Sequence, residues 1–173
     1  RSVVSPDAAG HPAGWVAHLA EDLDTFIASG RRLDLPSADP ATVAQWFQHR
    51  VAFRPPVPIV GAGEFRLRGA RLCNIFDRRV ASFMYDSGVH QASLYIVPSM
   101  TGSASAPPGI PGKGYHHVTW DDGDLAYALV SSAPPDQIHP LARALRESFR
   151  TGLRLGPWDR MTGNHFALAG EAL

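Results

Sequence analysis

Apolar positions near the start of the chain recur at helical spacing. Trp15, Val16, Leu19, Leu23, Phe26 and Ile27 trace one stripe at period 3.6. Gly30 follows where a helix ends, and Arg31 and Arg32 suit the negative end of its dipole. A second helix is predicted from Asp39, a capping side chain, followed by Pro40, whose fixed φ suits the first helical position. Val43, Trp46, Phe47 and Val51 form its stripe. Pro55, Pro56 and Pro58 then exclude helix and central strand and predict an extended connector.

From Glu64 the period becomes two. Phe65 and Leu67 alternate with Glu64, Arg66 and Arg68, and Gly69 breaks the run. Further strand patterns cover 71–76, 80–86, 92–97, 115–120 and 125–131, with turn signals at Asp86-Ser87-Gly88 and Asp121-Asp122-Gly123-Asp124. They predict a meander of about five antiparallel strands. Closing the first turn pairs Phe83 with Leu94 and Tyr85 with Ala92. Closing the second pairs Val118 with Tyr127 and His116 with Leu129. One face then carries Phe83, Tyr85, Leu94, Ile96, His116, Trp120 and Tyr127 and is expected to be dry. The other carries Ser82, Met84, Ser93, Tyr95, Tyr115 and His117, and is half polar and expected to be wet.

A last helix places Ile138, Leu141, Ala142, Leu145 and Phe149 on one stripe. Pro134 and Pro135 mark its start, while Pro140 leaves a start near His139 equally open. The fold class is therefore α+β: an antiparallel sheet of about five strands with helices packed on one face. Residues 1–14 read as a linker, 15–150 as the domain, and 151–173 as a tail with a short docking element around Trp158. Residues 98–114, rich in Pro, Gly, Ser and Ala, read as a mobile segment or a binding loop.

Composition narrows the function classes. Hydrophobic residues make up 45% and charged residues 18%, so the chain has the apolar content of a folded domain. Sixteen basic and sixteen acidic residues cancel, which argues against a general nucleic-acid binder, because phosphate neutralisation needs clustered positive charge. Cys73 is the single cysteine, which excludes an intrachain disulfide and a cysteine-based zinc site. The longest apolar runs are four or five residues, far short of the roughly 18 needed for a membrane span. No Gly-x-Ser-x-Gly elbow, no HExxH and no phosphate-cradling glycine loop occurs, so the pattern points away from an enzyme.

Two chemistries are open on the half-polar face. Met84, Tyr95, Tyr115 and His117 are the candidate ligand or interface residues. Met84, Tyr95, Val97 and Tyr115 would leave an exposed apolar patch unless a second copy of the chain or the tail covered this face. Cys73, Met84, His90 and His117 are candidate soft-metal ligands, although they come from separate segments with no fixed spacing. His116 and His117 point to opposite faces and cannot chelate one ion together. His116 reads as a core histidine. Arg31-Arg32 and Arg78-Arg79 read as solvated ends of elements, with Arg78-Arg79 a candidate anion contact. No metal or other cofactor is expected to be needed for folding.

Several strand strings are familiar. Residues 63–72 (GEFRLRGARL), 81–86 (ASFMYD), 94–97 (LYIV) and 120–130 (WDDGDLAYALV) resemble the extracytoplasmic domain of membrane-anchored anti-sigma factors, the transmembrane regulators of bacterial ECF sigma factors. The helix holding Ala44, Trp46 and Phe47 matches that family loosely. The resemblance spans roughly 15–150 and implies a non-enzymatic sensor or regulatory module. It implies a cytosolic sigma-binding segment and one membrane helix, both outside this sequence, with Arg1 just beyond the membrane. The implied partner is a cognate sigma factor, reached through that missing segment, and a homodimer is compatible. Cys73, the long 98–114 segment and the residues after Arg150 depart from the family's pattern. The rival reading is a stand-alone periplasmic metal- or small-ligand-binding protein.

Overall fold

The computed structural model describes residues 15–75, 77–99 and 114–151. The expected linker 1–14, most of the 98–114 segment and all but Thr151 of the expected tail, Trp158 included, lie outside the described residues. The elements are α1 (Trp15–Ser29), β1 (Leu35–Pro36), α2 (Pro40–Trp46), β2 (Gly61–Ala62), β3 (Phe65–Ile75), β4 (Arg78–Asp86), β5 (Gln91–Pro98), β6 (His116–Asp121), β7 (Leu125–Ser131) and α3 (Pro135–Arg150). The class is α+β. The antiparallel sheet has seven strands where about five were expected, the difference including the two-residue pieces β1 and β2.

Local chemistry sets several boundaries. Asp39 Oδ2 accepts the backbone N–H of Thr42 at 2.9 Å and so caps α2, with Pro40 at the first helical position. Gly30 ends α1 with φ +68°. α3 starts at Pro135 and takes Pro140 inside the helix, settling the two starts left open by the prolines. The two runs on either side of Gly69 are one strand, β3, with its register shifting between Leu67 and Gly69. A Cβ at Gly69 would lie 2.0 Å from the carbonyl oxygen of Leu35, so the close approach of β1 requires glycine there.

The strand order is β1-β3-β4-β5-β7-β6, with β2 also on β3. A simple meander would set β6 beside β5. Instead β7 lies between them. β5 ends beside Leu125 and β6 begins beside Ser131, at the other end of β7. The end of β5 and the start of β6 are therefore about 20 Å apart along β7, six strand steps.

The β4–β5 register is the expected one, Phe83 facing Leu94 and Tyr85 facing Ala92. The β6–β7 register is two residues away from expectation: Val118 faces Leu129, and Trp120 faces Tyr127. A shift of two keeps every side chain on its face. It also moves His116 to the end of the sheet, opposite Ser131 on edge strand β6, so His116 is exposed and not a core histidine.

The largest correction concerns the helices. They cover both faces of the sheet. α2 and α3 close one face over Phe83, Leu94, Ile96 and Tyr127. α1 closes the other, burying Val16, Leu19, Leu23 and Phe26 against Val80, Met84, Tyr95 and Val97. The half-polar face is dry, and the cover expected from a second copy or the tail comes from α1. Small residues make this possible. Ser82, Ser93, Ala126 and Ala128 lower the surface under the helix, and the two serine hydroxyls satisfy each other at 2.6 Å.

Candidate functional site

The α1-facing side of the sheet holds a buried polar cluster. Arg71 on β3 points under the helix with 7% of its side chain exposed, and Asp22 on α1 meets it with 24% exposed. Arg71 Nη2 lies 2.5 Å from Asp22 Oδ2. Tyr95 donates to the same oxygen at 2.7 Å, and its hydroxyl also sits 3.2 Å from the Leu19 carbonyl. The Arg71 guanidinium lies 4.2 Å from the centroid of the Phe26 ring, a desolvated cation–π contact. Arg71 Nε has no hydrogen-bond partner among the described residues. A second link, Tyr115 Oη donating to Asp24 Oδ1 at 3.1 Å, joins the start of β6 to α1.

This cluster was hidden from pattern reading, although a signal existed. Asp22 falls on the α1 stripe, three residues after Leu19 and four before Phe26. Arg71 occupies an inward position of β3 two residues before Cys73. A carboxylate on an apolar helix face and an arginine on an apolar strand face are each costly alone and are explained by pairing.

The candidate interface residues share one face, as expected, but as interior groups. Met84 and Tyr95 are buried and Tyr115 nearly so. His117 is half-buried on the edge strand. Met84, Ser93, Val130 and His117 form one cross-strand row, which sets Met84 and His117 three strand spacings apart, roughly 14 Å. The proposed metal set is also dispersed. Cys73 faces Val80, four residues along β4 from Met84, or about 13 Å. His90 sits in the β4–β5 connection with Nδ1 3.0 Å from Ser132 Oγ. Among the described residues, no group of three or more His, Cys, Asp or Glu side chains converges on a metal-sized site.

The interior acids hold their protons. Burial pushes the Cys73 thiol up to about 12, with the Asp22 and Asp34 carboxylates adding and Arg71 opposing. Such a thiol is a poor nucleophile. Burial also raises Tyr95, with Asp22 adding, and raises Tyr85. Tyr115 is pushed up to about 12 by burial and then by Asp24. The unfolded chain releases these protons from the ordinary values of 9.0 and 10.0. Between those values and the folded ones the native state binds more protons, so its stability falls as pH rises. The expected result is a melting temperature set independently of these groups up to pH 9, then declining toward pH 11. In Cys73→Ala the onset moves toward pH 10. A melting temperature unchanged from pH 8 to 11 would contradict this account.

Two surface clefts flank the sheet. One, of about 460 Å3, is lined by Arg50, Phe53, Arg78 and Arg79. Two of its guanidiniums are already engaged: Arg50 Nη1 donates to the Trp46 carbonyl at 2.7 Å, and Arg79 Nη1 to the Arg50 carbonyl at 3.3 Å. The other, of about 450 Å3, lies at the C-terminal end of α1, with Phe26, Leu33 and Met84 in its wall and Arg31, Arg32 and Arg68 at its rim. Comparison with protein-family models, with curated proteins and with solved structures finds no match to this chain.

Proposed function

We propose that the domain is a non-enzymatic, extracytoplasmic regulatory module of a membrane-anchored anti-sigma factor. It would control a cytosolic sigma-binding segment through binding, association or proteolysis outside the membrane. One observation carries the reading: the four strings that resemble this family lie on β3, β4, β5 and the β6–β7 hairpin, adjacent members of one sheet. The placement of α1 adds a route for coupling. α1 packs on one face of the sheet and buries its centre, so displacement of α1 would act on the core. No helix among the described residues is long and apolar enough to cross a membrane, and the anchor of this proposal belongs to a segment outside this sequence.

The test uses the complete gene product in its own cells. A sigma factor should co-purify with it, and deletion of residues 15–150 should change transcription from a promoter of that sigma factor. Absence of a bound sigma factor together with unchanged transcription would overturn the reading. The cleft at the end of α1 favours the small-ligand form of the rival reading, a periplasmic binding protein.

A further inference from the structure

We propose that the cleft at the C-terminal end of α1 binds a small amphipathic carboxylate. Its head group would meet Arg31, Arg32 and Arg68, and its apolar body would lie on Ile27, Leu33 and Pro36. The inference stands apart from the anti-sigma reading, because the ligand is held by this domain alone.

Three observations carry it. The cleft has about 450 Å3, within the range of small-molecule sites. Its accessible wall is apolar, made by Ile27, Leu33 and Pro36 over the buried Phe26 and Met84. Its rim has a surplus of positive charge: three arginines against Asp86, whose Oδ1 already accepts the Gly88 N–H at 2.5 Å.

The arginines are the telling part. None of the guanidiniums of Arg31, Arg32 and Arg68 has a hydrogen-bond or ion-pair partner among the described residues. Arg31 and Arg32 alone would be explained by the negative end of the α1 dipole. Arg68 has no such explanation. It comes from β3, at the register shift beside Gly69, and lines the same cleft. A planar carboxylate matches a guanidinium in bidentate fashion, and several unpaired guanidiniums over an apolar wall select an anion with an apolar body. The other cleft is less suited, because Arg50 and Arg79 are already bound to backbone carbonyls.

The experiment is calorimetric titration of the purified domain with decanoate, below the concentration at which decanoate aggregates. Decanol, acetate and decyl phosphate serve as comparison probes. Decanoate should bind, and decanol and acetate should each bind at least about tenfold more weakly, having lost the charged contacts or the apolar body. The variant Arg31→Gln/Arg32→Gln/Arg68→Gln changes exposed side chains only, so it should keep its melting temperature while losing decanoate binding. Arg50→Gln/Arg79→Gln should bind decanoate like the parent. The proposal is overturned if decanoate and decanol bind equally, if only decyl phosphate binds, or if the triple variant binds decanoate unchanged. Loss of binding in the Arg50→Gln/Arg79→Gln variant alone would place the site in the other cleft and overturn it too. A failed titration leaves sigma-factor co-purification unaffected, so the two proposals fail separately.

Discussion

Truncating Phe83 to alanine is expected to lower the unfolding free energy by about 3–5 kcal/mol. Phe83 is fully buried at the centre of β4, facing Leu94, with its ring 5.9 Å from that of Phe47 on the α2 side. Its neighbours include Ala70 on β3, Leu94 on β5 and Phe47 at the end of α2, all buried and fixed by other contacts, so little collapse into the vacated space is possible. The cost is then the lost transfer of the ring plus the cavity left behind. Trp120→Ala should fall in the same range, since the indole is buried and stacks on Tyr127 at 5.1 Å. Equilibrium denaturation with an unchanged slope is the measurement. A loss below about 1 kcal/mol for Phe83→Ala, the size usual for surface changes, would mean that this side chain does not face the α2–α3 core.

Removing Asp22 should be nearly as damaging for a different reason. In Asp22→Ala the Arg71 guanidinium stays under α1 with its charge and without its carboxylate, which costs about 3–5 kcal/mol for a buried pair. Removing the other partner should cost less. Asp22 is a quarter exposed and lines a shallow opening with His18 and Thr25, so in Arg71→Met water can reach its carboxylate. Replacing both, Asp22→Leu with Arg71→Met, should recover much of the loss, because neither charge is then left alone. The measured order should be Asp22→Ala least stable, the double variant and Arg71→Met above it. If Asp22→Ala loses less than about 1 kcal/mol, the pair does not hold α1 to the sheet.

The site was less legible than the fold. Met84, Tyr95 and Tyr115 were placed correctly on one face, because alternation along a strand fixes which side chains share a side. Their surroundings are dry, where the alternation predicts a wet face. Serine and alanine look half polar in a pattern, yet at Ser82, Ser93, Ala126 and Ala128 they are the low floor on which α1 sits. The paired hydroxyls carry no sequence signature, since the partners are eleven residues apart and meet only through the β4–β5 register. The Asp22–Arg71 pair spans 49 residues, and nothing local announces it.

Periodicity and capping chemistry alone determined the presence of three helices, the strand runs from Phe65 onward apart from their join across Gly69, the Asp39 cap, and the division of the sheet into its two faces. These depend on interactions between residues a few positions apart, which a single sequence displays. Tertiary structure alone decided three things: the strand order, with β7 between β5 and β6; the two-residue difference in the β6–β7 register; and the burial of both faces. Each depends on where distant segments meet. A helix stripe shows that α1 needs an apolar surface but not which one. Once α1 is on the second face, Met84, Tyr95 and Tyr115 become core, Arg71 finds Asp22, and Arg31, Arg32 and Arg68 come together from separate elements at the rim of one cleft.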